Sequence, residues 1–250
     1  QRCMDLGYEF PEITSWIRAS TEDFKLVKSL GIKETGVLVS CSDYHIYNKM
    51  GLTRKGAMEK YIGVIREVLE VFDYPRMIHL GMDEERQAMA NDRREMHIVR
   101  GDYLLWHDMF FYFREAEKYG ATPWVWSDLY WRSGESFIEN MPKSAIQSNW
   151  FYQRFRGYPE RDIANKRIST YEELDKLGYK QIPCTSTCRG YDGGELNCFQ
   201  TIRHAEEKMT DELTLGFMMA PWRNTVPLEE FYLKDAALRL AAARRRVCGK

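Results

Sequence analysis

Apolar residues recur along this chain in two rhythms that take turns. Short runs of four to eight apolar residues read as β-strands, and longer stretches with apolar positions three and four apart read as amphipathic helices. The predicted strands are residues 12–19, 35–42, 76–81, 122–127, 145–150, 180–184 and 214–219. The predicted helices follow at 21–31, 53–72, 102–119, 134–140, 170–177, 195–209 and 228–246. Thr21 and Thr53 stand where N-caps belong, and Gly31 and Gly120 where helices stop. On the helix from 53 to 72, Ala57, Tyr61, Ile62, Ile65, Val68 and Leu69 share one face.

Seven strands, each followed by a helix and with no linker between them, predict a parallel sheet. The expected fold is α/β, a (β/α)8 TIM barrel of one domain over residues 1–250. Only seven βα units are visible, so its first strand would lie ahead of residue 1. A doubly wound open sheet is the alternative, although no G-x-G-x-x-G follows the first strand.

Composition narrows the partners. The chain is 44% hydrophobic and 14% aromatic over 250 residues, enough to bury one sizeable core. Its 36 Lys and Arg against 37 Asp and Glu leave a formal net charge of -1, so no global field recruits nucleic acid or an anionic membrane. Arg244, Arg245 and Arg246 end a predicted helix, where cations complement the dipole. The six cysteines lack zinc-ribbon or disulfide-framework spacing, and Cys184 with Cys188 has no second pair to complete a metal site. No cofactor and no metal are therefore expected. No signal-peptide pattern and no run of 18 apolar residues is present.

In a βα barrel the chemistry gathers where strands meet the following loops. The strand ends deliver Asp43, Tyr44 and His45; then His79, Asp83, Glu84 and Glu85; then Trp124, Trp126, Asp128, Tyr130 and Trp131; then Asn149, Trp150 and Tyr152; and last Trp222 and Arg223. Five of the seven tryptophans fall there. Flat indole walls beside carboxylates suit a sugar ring, whose C–H faces stack while its hydroxyls seek acceptors. Trp124, Trp126 and Asp128 share parity, which on an extended segment points them to one side. Adjacent carboxylates at a barrel mouth raise at least one pKa toward the range of a general acid. For Asp83 and Glu84 to share a pocket, the backbone has to bend after Met82.

"PRMIHLGMDEE" (75–85) resembles the H-x-G-x-D-E signature of glycoside hydrolase family 20, the β-N-acetylhexosaminidase-like barrels. "WVWSDLYW", "QSNWFY", "YEELDKLGYKQIP" and "LGFMMAPW" extend that resemblance over residues 60–240. The resemblance implies Glu84 as general acid/base and Asp83 as the residue that orients a substrate 2-acetamido group, the substrate amide acting as nucleophile. It further implies sugar walls from Trp124, Trp126, Trp150 and Trp222, an acetamide donor in Tyr152, Asp128 among the binding residues, and His79 as a supporting hydrogen-bond partner. A buried histidine bonded to backbone is an equal reading of His79. Two departures stand out: "PWRNT" puts Arg223 and Asn224 where the family carries a sugar-binding Glu, and "QIPCTST" lacks its usual Tyr and Asp.

Residues 7–61 are similar instead to the aldolase-type barrels of the 3-hydroxy-3-methylglutaryl-CoA lyase and citramalate/homocitrate synthase superfamily, most specifically in "ETGVLVSCSDYHI". That resemblance implies a divalent metal held by an early Asp and a late H-x-H, and no H-x-H occurs in the chain. The two resemblances together read as a chimera of two βα barrels joined within residues 53–72, with natural divergence as the alternative. The leading expectation is a glycosidase-like barrel acting on an N-acetylhexosamine glycan. A metal-dependent acyl transferase or lyase and an inactive hybrid barrel are the alternatives.

Overall fold

The structure is a computed structural model that describes residues 5, 15–18, 20–32, 35–38, 45–83, 102–186, 196–224 and 226–249. Within them the chain is mixed α/β with parallel strands, and the described strands do not close into a full barrel. It divides into two compact units: one comprises Ile13–Val125 and Glu135–Met141, the other Gln1–Glu12, Trp126–Gly134 and Pro142–Lys250.

In the first unit the strands β1 (Ser15–Arg18), β2 (Thr35–Leu38), β3 (Met77–His79) and β4 (Thr122–Trp126) lie side by side in chain order. Their parallel register sets Ser15 beside Thr35, Gly36 beside His79 and His79 beside Trp124. Helix α1 (Thr21–Ser29) starts one residue earlier than a cap at Thr21 would set, because Ser20 takes the N-cap position. Thr21 is thereby freed to donate its hydroxyl to Glu67 at 2.7 Å. A turn of π-helix (His45–Lys49) that the periodicity does not show precedes α2 (Arg54–Val71). Thr53 caps α2 as expected, its hydroxyl accepting from the Gly56 amide at 3.1 Å.

The buried face of α2 carries Ala57, Tyr61, Val64, Ile65, Val68 and Leu69; Val64 sits there and Ile62 is only half-buried. That face meets Phe24 and Val27 of α1, Ile78 of β3 and Tyr112 of α3 (Asp102–Glu117) in one apolar core. Helix α4 (Gly134–Asn140) follows as predicted.

The second unit is built on β5 (Ile146–Ser148), β6 (Cys184–Thr185) and β7 (Met218–Met219), alternating with α5 (Ile163–Lys176), α6 (Asn197–Lys208) and α7 (Glu230–Cys248). Parallel bridges join Gln147 to Gln181, Trp150 to Cys184 and Gln181 to Thr214. The predicted strand at 180–184 is broken because Pro183 has no N–H to donate, so regular pairing resumes only at Cys184. Helix α5 starts seven residues ahead of the predicted 170, capped by Asp162, whose carboxylate accepts from the Ala164 amide at 2.8 Å. The core of this unit packs Phe151, Tyr171, Ala205 and Met209 together, with Cys198, Ile202, Leu240 and Ala243 between α6 and α7.

Candidate functional site

The backbone bends at the end of β3. Gly81 has φ 79° and Met82 φ 69°, two left-handed residues in succession. Glycine takes that conformation freely, whereas methionine is strained in it. The half-buried Met82 side chain lines an apolar cavity with Tyr61, Val64, Ile65, Val68, Ile78, Leu80 and Tyr112. Asp83, the next residue, is exposed. Glu84, the expected acid/base, lies outside the described residues, as do Asp43, Tyr44 and Glu85.

His79 is 2% exposed, and its Nδ1 accepts from the Gly81 amide at 3.0 Å. A ring nitrogen that accepts carries no proton, so the proton of the neutral ring sits on Nε2. Burial pushes the imidazole pKa down to about 3. The ring also meets Trp124 edge-on, centroids 4.6 Å apart. His79 is thus the buried strand histidine bonded to backbone, and it helps to set the bend that leads to Asp83.

The second unit carries an aromatic face. Trp126, Tyr152 and Cys184 are buried together, with Trp150, Met218 and Ala220 packed against them. Trp150 stacks on Tyr152 with centroids 5.3 Å apart and an interplanar angle of 25°. Trp131 meets Trp150 edge-on at 4.7 Å, and Trp222 meets Tyr152 edge-on at 6.0 Å. Among these rings Trp222 alone is largely open to solvent, 55% exposed, and it is held there at φ 48°. A bulky residue at positive φ just past β7 is strain of the kind that collects at binding sites.

Asp128 departs from the expected geometry. It is buried and opens a 3₁₀ turn (Asp128–Trp131), because Ser127 at φ -102°, ψ 11° ends the extended segment at Trp126. Strand alternation therefore stops before Asp128, and parity with Trp126 no longer sets its direction.

Asn149, which a predicted strand end delivers, and two residues that the sequence pattern did not single out, Arg167 and Asn197, organise this face. The Asn149 side chain accepts from the Trp131 indole at 3.0 Å and donates to the Arg167 carbonyl at 2.7 Å. The Arg167 guanidinium lies over the rings of Trp131 and Trp150, at 4.5 and 5.1 Å. Asn197, fully buried, accepts from the Thr185 hydroxyl and the Ser186 amide and donates to the carbonyls of Phe151 and Gln153. Those two carbonyls flank Tyr152, so one amide side chain pins the segment on which Tyr152 sits.

Electrostatics separate structural from reactive groups. Burial raises the Tyr152 phenol far above the ordinary tyrosine range; the Cys184 thiol, 3.6 Å from its hydroxyl, adds to this, and a hydrogen bond from the Trp222 indole opposes it. Burial also pushes Cys184 up to about 12, so this thiol is not a nucleophile at neutral pH. Tyr130 is pushed up to about 12 by burial and by its hydrogen bond to Glu173. Burial alone would raise Glu173, but hydrogen bonds from Lys166, Ser169 and Tyr130 bring it below the ordinary carboxylate value. Among the described residues no group of three or more His, Cys, Asp and Glu is placed to hold a metal ion. Of the expected site residues, Trp126, Trp150, Tyr152 and Trp222 come together in one unit, and His79 and Trp124 in the other.

No protein-family model matches the chain. A 74-residue stretch is 61% identical to the citrate (Re)-synthase of Clostridium kluyveri, covering 30% of this chain and 16% of that protein. Another match, 43% identical over 70 residues, is to the 2-phosphinomethylmalate synthase of Streptomyces hygroscopicus, covering 28% and 16% of the two chains. The chain thus spans about a sixth of the length of these curated relatives. Among solved structures, the β-N-acetylhexosaminidase of Bacteroides fragilis is similar over 90% of this chain and 50% of that one, with TM-score 0.57 and 15% identity. D-psicose 3-epimerase, solved in the presence of D-fructose, is similar over 98% and 91%, with TM-score 0.57 and 12% identity. Both are TIM-barrel proteins, and at such identities the likeness is one of fold.

Proposed function

We propose that this chain is a glycoside hydrolase-like protein that binds N-acetylhexosamine glycans on its aromatic face, with Glu84 as general acid/base and Asp83 orienting the substrate acetamide. The observation that carries the binding half is Trp222, presented to solvent at a strained φ of 48° against Tyr152. A ring held open in this way offers a sugar one free face. Behind it, Trp150 and Tyr152 supply a rigid stack, which loses little entropy on binding. For the catalytic half, the bend at Gly81 and Met82 supports the reading, because it releases Asp83 from strand alternation. The likeness of fold to a hexosaminidase is consistent with both halves.

Tryptophan emission titrated with N-acetylglucosamine tests the binding half. Saturable quenching is expected, with affinity about tenfold weaker in Trp222→Ala, a loss of about 1.4 kcal/mol. Unchanged affinity in that variant would remove Trp222 from the site.

A second reading rests on a different observation, the 74 residues that are 61% identical to a citrate (Re)-synthase. On that reading the chain carries a segment of a metal-dependent acyl transferase or lyase, and a join of two βα barrels accounts for both likenesses. Among the described residues no group of three or more His, Cys, Asp and Glu is placed to hold that metal. Acetyl-CoA turnover with added divalent metal separates this reading from the first: thiol release without sugar binding would reverse their order.

A further inference from the structure

We infer that the residue following Trp222 makes this face selective for acidic sugars: Arg223 recognises an anionic substituent, a carboxylate or a sulfate ester, on the N-acetylhexosamine. The inference rests on the sugar-binding reading of Trp222 and goes beyond it by naming the charge class of the substrate.

Trp222 and Arg223 are consecutive residues just beyond β7, so one short segment carries both the indole and the guanidinium. The guanidinium is held over the Tyr232 ring, its central carbon 4.4 Å from the centroid. A planar cation fixed on an aromatic face keeps its N–H groups in the plane, which suits two-point recognition of an oxyanion. Its only described counter-charge is Glu229, at 3.7 Å. That contact is an ion pair and not a hydrogen bond, since the buried Glu229 oxygen has no hydrogen-bond partner among the described residues.

Among the described residues, then, the five N–H donors of Arg223 are not engaged by hydrogen bonds, and its side chain remains 30% exposed. The next acid, Glu230, is already paired with Lys234 at 2.6 Å. Glu229 therefore stands beside the guanidinium as a competing charge without occupying its donors. Asn224 is exposed beside it and adds a further polar group to the same rim.

The test is the same emission titration with three probes: N-acetylglucosamine, its 6-sulfate, and N-acetylmuramic acid, which carries a carboxylate. Wild type, Arg223→Gln and Glu229→Gln are compared at low and high salt. The wild type should bind at least one acidic probe about tenfold tighter than the neutral sugar, and the acid that gains identifies the source of the charge. Arg223→Gln should abolish that preference, added salt should reduce it, and Glu229→Gln should widen it by removing the competing carboxylate. Equal binding of all three probes by wild type, or a preference that survives Arg223→Gln, would overturn the inference while leaving the sugar site standing. Absence of quenching by every probe would instead remove the sugar-binding reading itself.

Discussion

Four hydrogen bonds converge on the buried side chain of Asn197, and their removal is the sharpest test of how single residues hold the aromatic face. Asn197→Ala strands a hydroxyl, an amide and two carbonyls in the interior. The expected loss is about 3 kcal/mol in urea unfolding, together with weaker sugar-induced quenching as the Tyr152 segment loosens. A loss below about 1 kcal/mol would mean that water or a neighbour takes over these bonds. Asn197 could not be read from the sequence, because a lone Asn at a predicted helix start looks like an ordinary cap. The rings were easier to find. Trp150 ends a predicted strand, Tyr152 and Trp222 lie just past one, and their chemistry is carried by residue type alone. The contacts that orient them are not, since Asn149, Arg167 and Asn197 act across 18 to 46 residues of intervening chain.

Among the elements, α2 was the most legible, because its cap and its apolar stripe agree. The Thr53 hydroxyl satisfies the Gly56 amide, so Thr53→Ala should cost about 1 kcal/mol while Thr53→Ser keeps most of the cap. Thermal unfolding of the two variants checks this, and equal midpoints would show that the cap contributes nothing. Other elements hid their boundaries. The start of α5 was missed because Ile163 is exposed while the buried positions Ala164, Thr170, Tyr171 and Leu174 include small and polar residues, so the first turn shows no apolar stripe. Thr21 looked like a cap but reaches across to Glu67 on α2, a partner that local spacing cannot reveal. The parallel βα order itself was legible, since it needs only the alternation of two periods. How far each strand pairs was not, because a single Pro183 decides it in β6.

At the scale of the whole molecule, stability should depend on pH with one sign. The folded-state pKa of His79 is about 3 against an ordinary 6.5, so the folded protein refuses a proton that the unfolded chain accepts. Its contribution is complete above pH 6.5 and is lost as the pH falls toward 3, at up to about 1.4 kcal/mol per pH unit. His204 acts in the same direction, because burial outweighs the attraction of Glu172 3.6 Å away and lowers its pKa. Glu173, also lowered, contributes above the ordinary carboxylate pKa of 4.5 and loses that contribution below it. Urea midpoints should therefore fall steadily between pH 7 and pH 4, and a flat profile would contradict the burial of these groups.

The proposed function gives Glu84 the role of general acid/base, and the release of nitrophenol from an aryl N-acetylglucosaminide tests that role most directly. Wild type should turn over, and Glu84→Gln should slow the reaction about 10²- to 10⁴-fold with little change in sugar affinity. Equal rates in the two proteins would contradict it.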